Sequence, residues 1–296
     1  MRNYDYYYQY LIFYYKKEIP SLYICEALKR FYQDSVDALK NIFNKLELIV
    51  EGIACIKFAD PEVKRILVEQ LDRDGNGEVN ENESINVFLQ SGWFQGNQKI
   101  KTFREMKRFK GLHSTHNYTF RNSTIEVIEF AAGQSLPGGA FYDCAYLREI
   151  VLPADMTDLN WFGAIPALEH IDLPETLESI GADIFAYSQL EEIIIPERVS
   201  SMLGGAFRYC SKLKKLIIKT NLITTFGGNF LADCPNIEDF VLYTETPPTL
   251  GWGSFDRTNS AMKIYVPDDS VLAYQAANGW KNRANYIYPL SSYEES

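Results

Sequence analysis

Histidine and cysteine are scarce in this 296-residue chain, at three and five residues. His113, His116 and His170 stand in no G-x-S-x-G or comparable nucleophile motif, which argues against a catalytic triad. His113-Ser-Thr-His116 has no nearby cysteine or third histidine to complete a zinc set, so a plain loop is the favoured reading. Cys25, Cys55, Cys144, Cys210 and Cys234 are odd in number and hold no C-x-x-C pair. A dense disulfide framework is thereby excluded, and buried free thiols acting as small hydrophobes are expected. No apolar run is long enough to span a bilayer. Residues 1–19 lack the basic start, uninterrupted apolar run and small-residue cleavage site of an export signal. Positive charge is thin toward the C-terminus: the net charge is −10, and residues 120–296 carry twelve basic against twenty-three acidic side chains. Such a surface repels nucleic acid and anionic membrane. The one basic run, Lys99 to Lys110 with Lys101, Arg104, Lys107 and Arg108, alternates with Phe103, Met106 and Phe109. It reads as a helix with one apolar side on an N-terminal cap and a charged side in water, rather than as a nucleic-acid site.

What the chain has in plenty is internal repetition. Leu147-Arg-Glu-Ile150-Val-Leu152-Pro153, Leu168-Glu-His-Ile171-Asp-Leu173-Pro174 and Leu190-Glu-Glu-Ile193-Ile-Ile195-Pro196 share apolar residues at positions one, four and six. Copies starting at Leu213 and Ile237 continue the pattern, an earlier one starts at Ile125, and a degenerate one at Ala261. The spacing of 21 to 24 residues falls within the range of roughly 20 to 29 for leucine-rich repeats. A phenylalanine precedes each strand, at Phe120, Phe141, Phe162, Phe185, Phe207, Phe230 and Phe255. Small residues lead into most of them, as in Gly138-Gly-Ala-Phe141, Gly204-Gly-Ala-Phe207 and Gly227-Gly-Asn-Phe230. Glycine turns followed by one aromatic are what a solenoid needs to bend and stack its rungs. None of the Gly-Gly pairs is followed by Lys-Ser/Thr, so phosphate cradling is disfavoured.

These units resemble the BspA-like leucine-rich repeats of bacterial surface proteins, which read roughly A-F-x-x-C-x-x-L-x-x-I-x-L-P. Gly139-Ala-Phe141-Tyr-Asp-Cys144-Ala-Tyr-Leu147-Arg-Glu-Ile150-Val-Leu-Pro153 matches almost in full. Thr246-Pro-Pro-Thr249, then Ile264-Tyr-Val-Pro267 through Tyr274 to Trp280, resembles the family's terminal unit. The resemblance covers about residues 94–290. It implies an α+β solenoid, β-rich and curved, that binds a protein or host-surface ligand without catalysis. It also implies a cell-surface or secreted location, with a cytoplasmic or phage-associated one as the alternative.

Ahead of the repeats, Asp72-Arg-Asp74-Gly-Asn76-Gly77-Glu78-Val79-Asn80-Glu-Asn-Glu83 fits the calcium-loop pattern D-x-[DN]-x-[DN]-G-x5-E. Asp72, Asp74 and Asn76 offer oxygens at alternate positions, and Gly77 permits the sharp turn. The Glu78 carbonyl and Asn80 add ligands, and Glu83 closes the shell. Hard oxygen donors in that number suit Ca2+. Residues 61–71 read as the entering helix, with Val63, Ile66, Leu67 and Leu71 on one face, and residues 84–94 as a short exit helix. A solvated acidic turn is the alternative, since such loops usually work in pairs. BspA-like proteins often carry a similar EF-hand or dockerin-like segment with an FADP-like run ahead of it. Phe58-Ala-Asp-Pro61 matches that run, which implies calcium as a structural clamp.

Residues 21–51 read as an amphipathic helix with apolar residues from Leu28 to Ile49. Packing on the chain's own cap is preferred over oligomerisation through a short coiled coil. Tyr4 to Tyr15 holds seven tyrosines whose role is open. The expected organisation is therefore a tyrosine-rich segment and helix over 1–52, an EF-hand-like module over 53–95, the solenoid with its terminal unit over 96–290, and a tail over 291–296.

In an L-x-x-L-x-L strand the second, third and fifth residues point away from the core. The candidate partner face accordingly carries Glu191, Glu192, Lys214 and Lys215 in its charged columns, with Ile194, Ile217, Val241 and Tyr265 as an apolar stripe. Whether that stripe marks an interface or only strand propensity stays open. The repeat-locked positions of the acidic pairs explain them as exposed strand residues rather than glycosidase-like carboxylates. A non-catalytic binding or adhesion module is the leading expectation. A structural subunit of an oligomeric surface or phage-like fibre is the alternative.

Overall fold

The computed structural model describes residues 31–39, 55–90, 92–112, 118–134, 139–160 and 165–294. It separates into two compact units, residues 1–54 and 55–296. In the first, residues 31–39 form a helix, α1. The tyrosine-rich start and the rest of the helix expected over 21–51 lie outside the described residues, as do Cys25, His113, His116, Gly138 and Phe162. In the second unit, the loop segment and the repeats share one apolar core that runs from Ile56 to Ile287. Among the described residues no helix is long and apolar enough to cross a membrane.

Helix α2 (Pro61–Leu71) opens that unit with the four expected apolar residues buried. The strands follow as β1 (Thr102–Phe103), β2 (Val127–Glu129), β3 (Glu149–Val151), β4 (Asp158–Leu159) and β5 (His170–Ile171). Next come β6 (Ser179–Ile180), β7 (Glu192–Ile195), β8 (Ser201–Met202), β9 (Lys215–Ile218) and β10 (Thr225–Phe226). The series ends with β11 (Asp239–Leu242), β12 (Thr249–Leu250), β13 (Lys263–Val266) and, after the short helix α3 (Val271–Ala276), β14 (Ile287–Pro289). All pair in parallel. β1-β2-β3-β5 and β7-β9-β11-β13-β14 line the front, and β4-β6-β8-β10-β12 the back. Register follows the repeat, with Ile193, Leu216, Phe240 and Ile264 stacked in one inward column. This is the expected leucine-rich-repeat solenoid.

Between the two sheets each rung turns around its phenylalanine. Phe94, Phe120 and Phe141 stack at centroid separations of 5.1 and 5.5 Å, and Phe185 on Phe207 at 5.2 Å. The residues two before and two after that position take left-handed backbone, as at Asp183 and Tyr187 or Gly205 and Tyr209. Two such bends per rung explain the Gly, Asn and Asp that recur there. Gly204, Gly227 and Gly251 serve a different need: a Cβ on Gly227 would lie 2.5 Å from Gly204 Cα and 2.7 Å from the Leu203 carbonyl carbon. The repeat cysteines do more than fill space. Cys144, Cys210 and Cys234 each donate an S–H, at 3.0 Å, to the carbonyl of Phe120, Phe185 or Phe207 one rung up. Burial pushes the Cys144 thiol up to about 11, so it is a structural donor and not a nucleophile.

Three sequence expectations need correction, and the front sheet carries a break besides. The exit helix over 84–94 does not form: residues 81–86 are turns, and Phe94 begins an additional rung, stacked on Phe120 and leading into β1. The helix expected over the basic run is β1 followed by a five-residue 3-10 turn, Arg104–Arg108. Its Phe103, Met106 and Phe109 are buried as rung residues, not as a helical stripe. Phe230 is one place out of phase, because Phe207 N donates to Phe230 O while Leu231 holds the position three before Cys234. Lastly, the front sheet is not continuous. Phe185 stands five residues before Leu190, whereas Phe141 and Phe207 stand six before Leu147 and Leu213. That short turn places Gln189 N on Leu168 O at 2.8 Å, and β5 does not pair with β7.

Candidate calcium loop and binding face

Helix α2 delivers its C-terminal residue directly into the loop. Asp72 accepts the amides of Gly75 (2.8 Å) and Gly77 (2.8 Å), and Asn76 N as well, which curls residues 72–77 around its carboxylate. Both Gly75 and Gly77 adopt positive φ, +73° and +79°, the backbone a side chain disfavours. Hydrogen bonds from Gly77 first, and then from Gly75 and Asn76, hold the Asp72 carboxyl below its usual range. At the far end Glu83, 5% exposed, accepts Arg73 N at 2.7 Å and Asn80 N at 3.0 Å. Carboxylate oxygens of Asp72, Asp74 and Glu83 lie within 4.8 Å of one another. The other expected ligands are placed less directly. Asn76 Oδ1 accepts Glu78 N, Asn80 Oδ1 accepts Asn82 N and Glu83 N, and the Glu78 side chain pairs with Lys64 at 2.5 Å, leaving its carbonyl as the group the pattern requires.

Such loops ordinarily pair with a second one through the apolar residue in their middle. Here the partner strand comes from the same chain: Ile56 N donates to Val79 O at 2.7 Å, and Cys55 bridges Asn80 in antiparallel fashion, with Val79 fully buried. The Phe58-Ala-Asp-Pro61 run fastens the loop helix to the first rungs. Phe58 packs on Phe103 and Phe109, and Ala59 N donates to Glu105. Asp60 caps α2 through Glu62 N and Val63 N while accepting Lys101 N and Thr102 N.

The basic run faces the acid columns of the first rungs. Arg104 bridges Glu129 and Glu149, Lys107 meets Glu129, Lys101 meets Glu126 at 2.9 Å, and Arg108 meets Glu81 at 2.6 Å. Four of the six basic residues of the run are thus paired with carboxylates. Farther along, Glu191 pairs with Lys214 at 2.8 Å and Glu192 with Lys215 at 3.5 Å. Lys214 keeps the Glu191 carboxyl below the usual range.

The apolar stripe is not open as the strand pattern alone suggests. Ile194 is 41% exposed, but Ile217, Val241 and Tyr265 are buried at 3%, 0% and 8%. Leu290 and Tyr293 cover them, Tyr293 lying 4.9 Å from Tyr265 between ring centroids. The cause is the chain's end: β14 closes the sheet beside β13, and the residues after it double back over the front. No sequence periodicity marks residues 290–294 as a cover, because they follow the last repeat. The open part of the face is therefore the first half, with Val151 and Ile194 exposed among charged columns.

No curated protein matches the chain. Among solved structures, a leucine-rich repeat protein from Bacteroides ovatus ATCC 8483 is similar at 19% identity and a TM-score of 0.42, the match covering 55% of this chain and 45% of that one. The BspA type leucine rich repeat region matches in six copies, over residues 82–162 and 160–275. Repeats of this kind are protein-interaction scaffolds, and by that match, which spans well over half its length, the chain belongs to the BspA-type leucine-rich-repeat family.

Proposed function

We propose that this chain is a non-catalytic, surface-displayed adhesion module that binds a protein through the open half of its front sheet, and that Ca2+ in the 72–83 loop braces the entry to the repeats. The observation that carries the binding reading is the front face itself. The strand face holds Glu191, Glu192 and Lys214 in fixed columns beside exposed Ile194, with Glu191 and Glu192 paired along the sheet and the apolar residue left to solvent. What supports calcium is the convergence of Asp72, Asp74 and Glu83 in a loop already curled by its own amides. Bound there, Ca2+ would take these carboxylates together with Asn76, Asn80 and the Glu78 carbonyl, and would hold the end of α2 against the strand at Cys55–Ile56.

Site-specific photo-crosslinking tests the binding reading. A photoreactive residue is placed at Ile194 on the front, and in a second variant at Leu222, also exposed but outside the front strands. Protein adducts that form from position 194 and not from 222, on cells bearing the chain, are the expected result. Equal adducts at both positions, or none at 194, would overturn it.

A further inference from the structure

The break between β5 and β7 has a sequence cause, a one-residue shortening, and a chemical consequence. Elsewhere the first amide of each front strand bonds one rung up: Glu169 N to Arg148 O (3.1 Å), Lys214 N to Glu191 O (2.8 Å), Glu238 N to Lys214 O (2.8 Å). Between Glu191 and Glu169 that bond is missing; the ties between the two rungs are Gln189 N on Leu168 O and Gln189 Nε2 on Pro166 O at 3.1 Å. Beyond these ties the two strands are unpaired. They leave an open groove of about 370 Å³ with Ile171, Ile193 and Ile194 along it and Asp172, Glu175 and Glu192 among its polar lining, against the single ammonium of Lys219.

The carboxylates of this groove are less compensated than those of the first rungs. Glu126, Glu129, Glu149, Glu191 and Glu192 each pair with a lysine or arginine. Among the described residues, Glu169, Asp172 and Glu175 have none; Asp172 has only His170, at 3.5 Å. Aliphatic walls with rim carboxylates suit a side chain that is apolar along its stem and cationic at its tip. Strand edges with unpaired backbone groups suit the extended peptide that would carry it. We infer that the β5–β7 groove is a seat for an arginine or lysine presented on an extended segment of a protein partner. This rests on the binding reading above and names the chemistry it selects.

The test uses the full chain, isotope-labelled at isoleucine methyl groups, titrated with N-acetyl-arginine-N-methylamide and, in parallel, with the glutamate analogue. Arginine is expected to shift Ile171, Ile193 and Ile194 while glutamate leaves them in place. The double variant Asp172→Asn/Glu175→Gln is expected to weaken the arginine response about tenfold, by loss of two rim charges. A second variant inserts one glycine between Ser188 and Gln189 to restore the six-residue turn. It is expected to close the ladder, seen as slowed amide exchange at Glu191, and to abolish the arginine response. Equal response to both probes, no response, or an arginine response that survives both variants would overturn the inference. If crosslinking at Ile194 succeeds while arginine leaves the three isoleucines undisturbed, the inference fails and the binding reading stands. If crosslinking fails while the arginine response is clean, the binding reading fails and the groove keeps its preference for a cationic side chain.

Discussion

Asp60 accepts the backbone amide of Lys101 at 2.6 Å, forty-one residues away, with the same carboxylate that caps helix α2. One side chain thus starts the helix that leads into the 72–83 loop and fixes the strand that opens the solenoid. At 4% exposure neither its oxygens nor the amides they serve have water to turn to. Asp60→Ala removes an N-cap and strands two amides of the β1 segment, so a loss of about 3 kcal/mol is expected in urea unfolding. A loss under half that figure would mean the FADP run is replaceable.

Glu62 makes a second tie of the same kind. Arg65 foremost, and then Asn97 of the first rung, hold its carboxyl down at about 2. A carboxylate whose folded value is depressed contributes stability above its ordinary range and loses it as pH falls toward the folded value. Its contribution is complete above about 4.5 and gone near 2. Glu62→Gln is therefore expected to melt modestly below the parent at neutral pH and to meet it near pH 2, which flattens the fall in melting temperature between these limits; the difference is small because the group is close to the surface. Identical acid profiles for the variant and the parent would refute that assignment.

Calcium removal is the third test. A metal that binds the folded chain alone stabilises it by RT ln(1 + [L]/Kd), about 2.7 kcal/mol at a hundredfold excess over Kd. Melting in calcium and in chelator should differ accordingly, and calorimetry should report one site per chain. Asp72→Asn/Glu83→Gln should erase the difference. Since Glu83 also accepts Arg73 N and Asn80 N, the variant should melt lower than the parent even in chelator. A calcium shift that persists in the variant would place the ion elsewhere.

Most of this was legible from the sequence, and the misses have physical causes. The L-x-x-L-x-L copies place the front strands because a 21–24-residue period leaves parallel stacking as the way to bury every apolar position. The loop pattern places Asp72, Asp74 and Glu83 because its spacing encodes one backbone path. Phe94 was hidden because its rung has Gly96 and Asn97 where the later ones have Asp143 and Cys144. The short turn at Ser188–Leu190 was visible in the spacing, but only the lost Glu191 bond reveals what one residue does to a ladder. The cover over Val241 and Tyr265 lies outside the repeat altogether, so no repeat argument reaches it.

That cover can be removed. Truncation after Pro289 takes away Leu290 and Tyr293, which pack on Ile217, Val241 and Tyr265. Partial burial of two large side chains is lost, so a decrease of about 2 kcal/mol is expected together with binding of a hydrophobic dye. Tyr293→Ala should reproduce part of both effects. Unchanged dye binding in the truncated chain would show that the stripe is covered by something other than these residues.

Two glycines separate the two reasons for glycine in a solenoid. Gly96 has φ +69° with open space around its missing Cβ, and the equivalent position one rung later is Asn122 at φ +54°. Gly96→Asn should thus cost under about 1 kcal/mol, asparagine being tolerated in left-handed backbone. Gly227 has ordinary φ but no room, because its Cβ would press on the backbone of Leu203 and Gly204 in the adjacent rung. Backbone cannot rotate aside as a side chain can, so Gly227→Ala should cost about 3 kcal/mol by forcing the two rungs apart. Equal costs for the two variants would mean that turn conformation, and not the spacing between rungs, is what fixes glycine in these repeats.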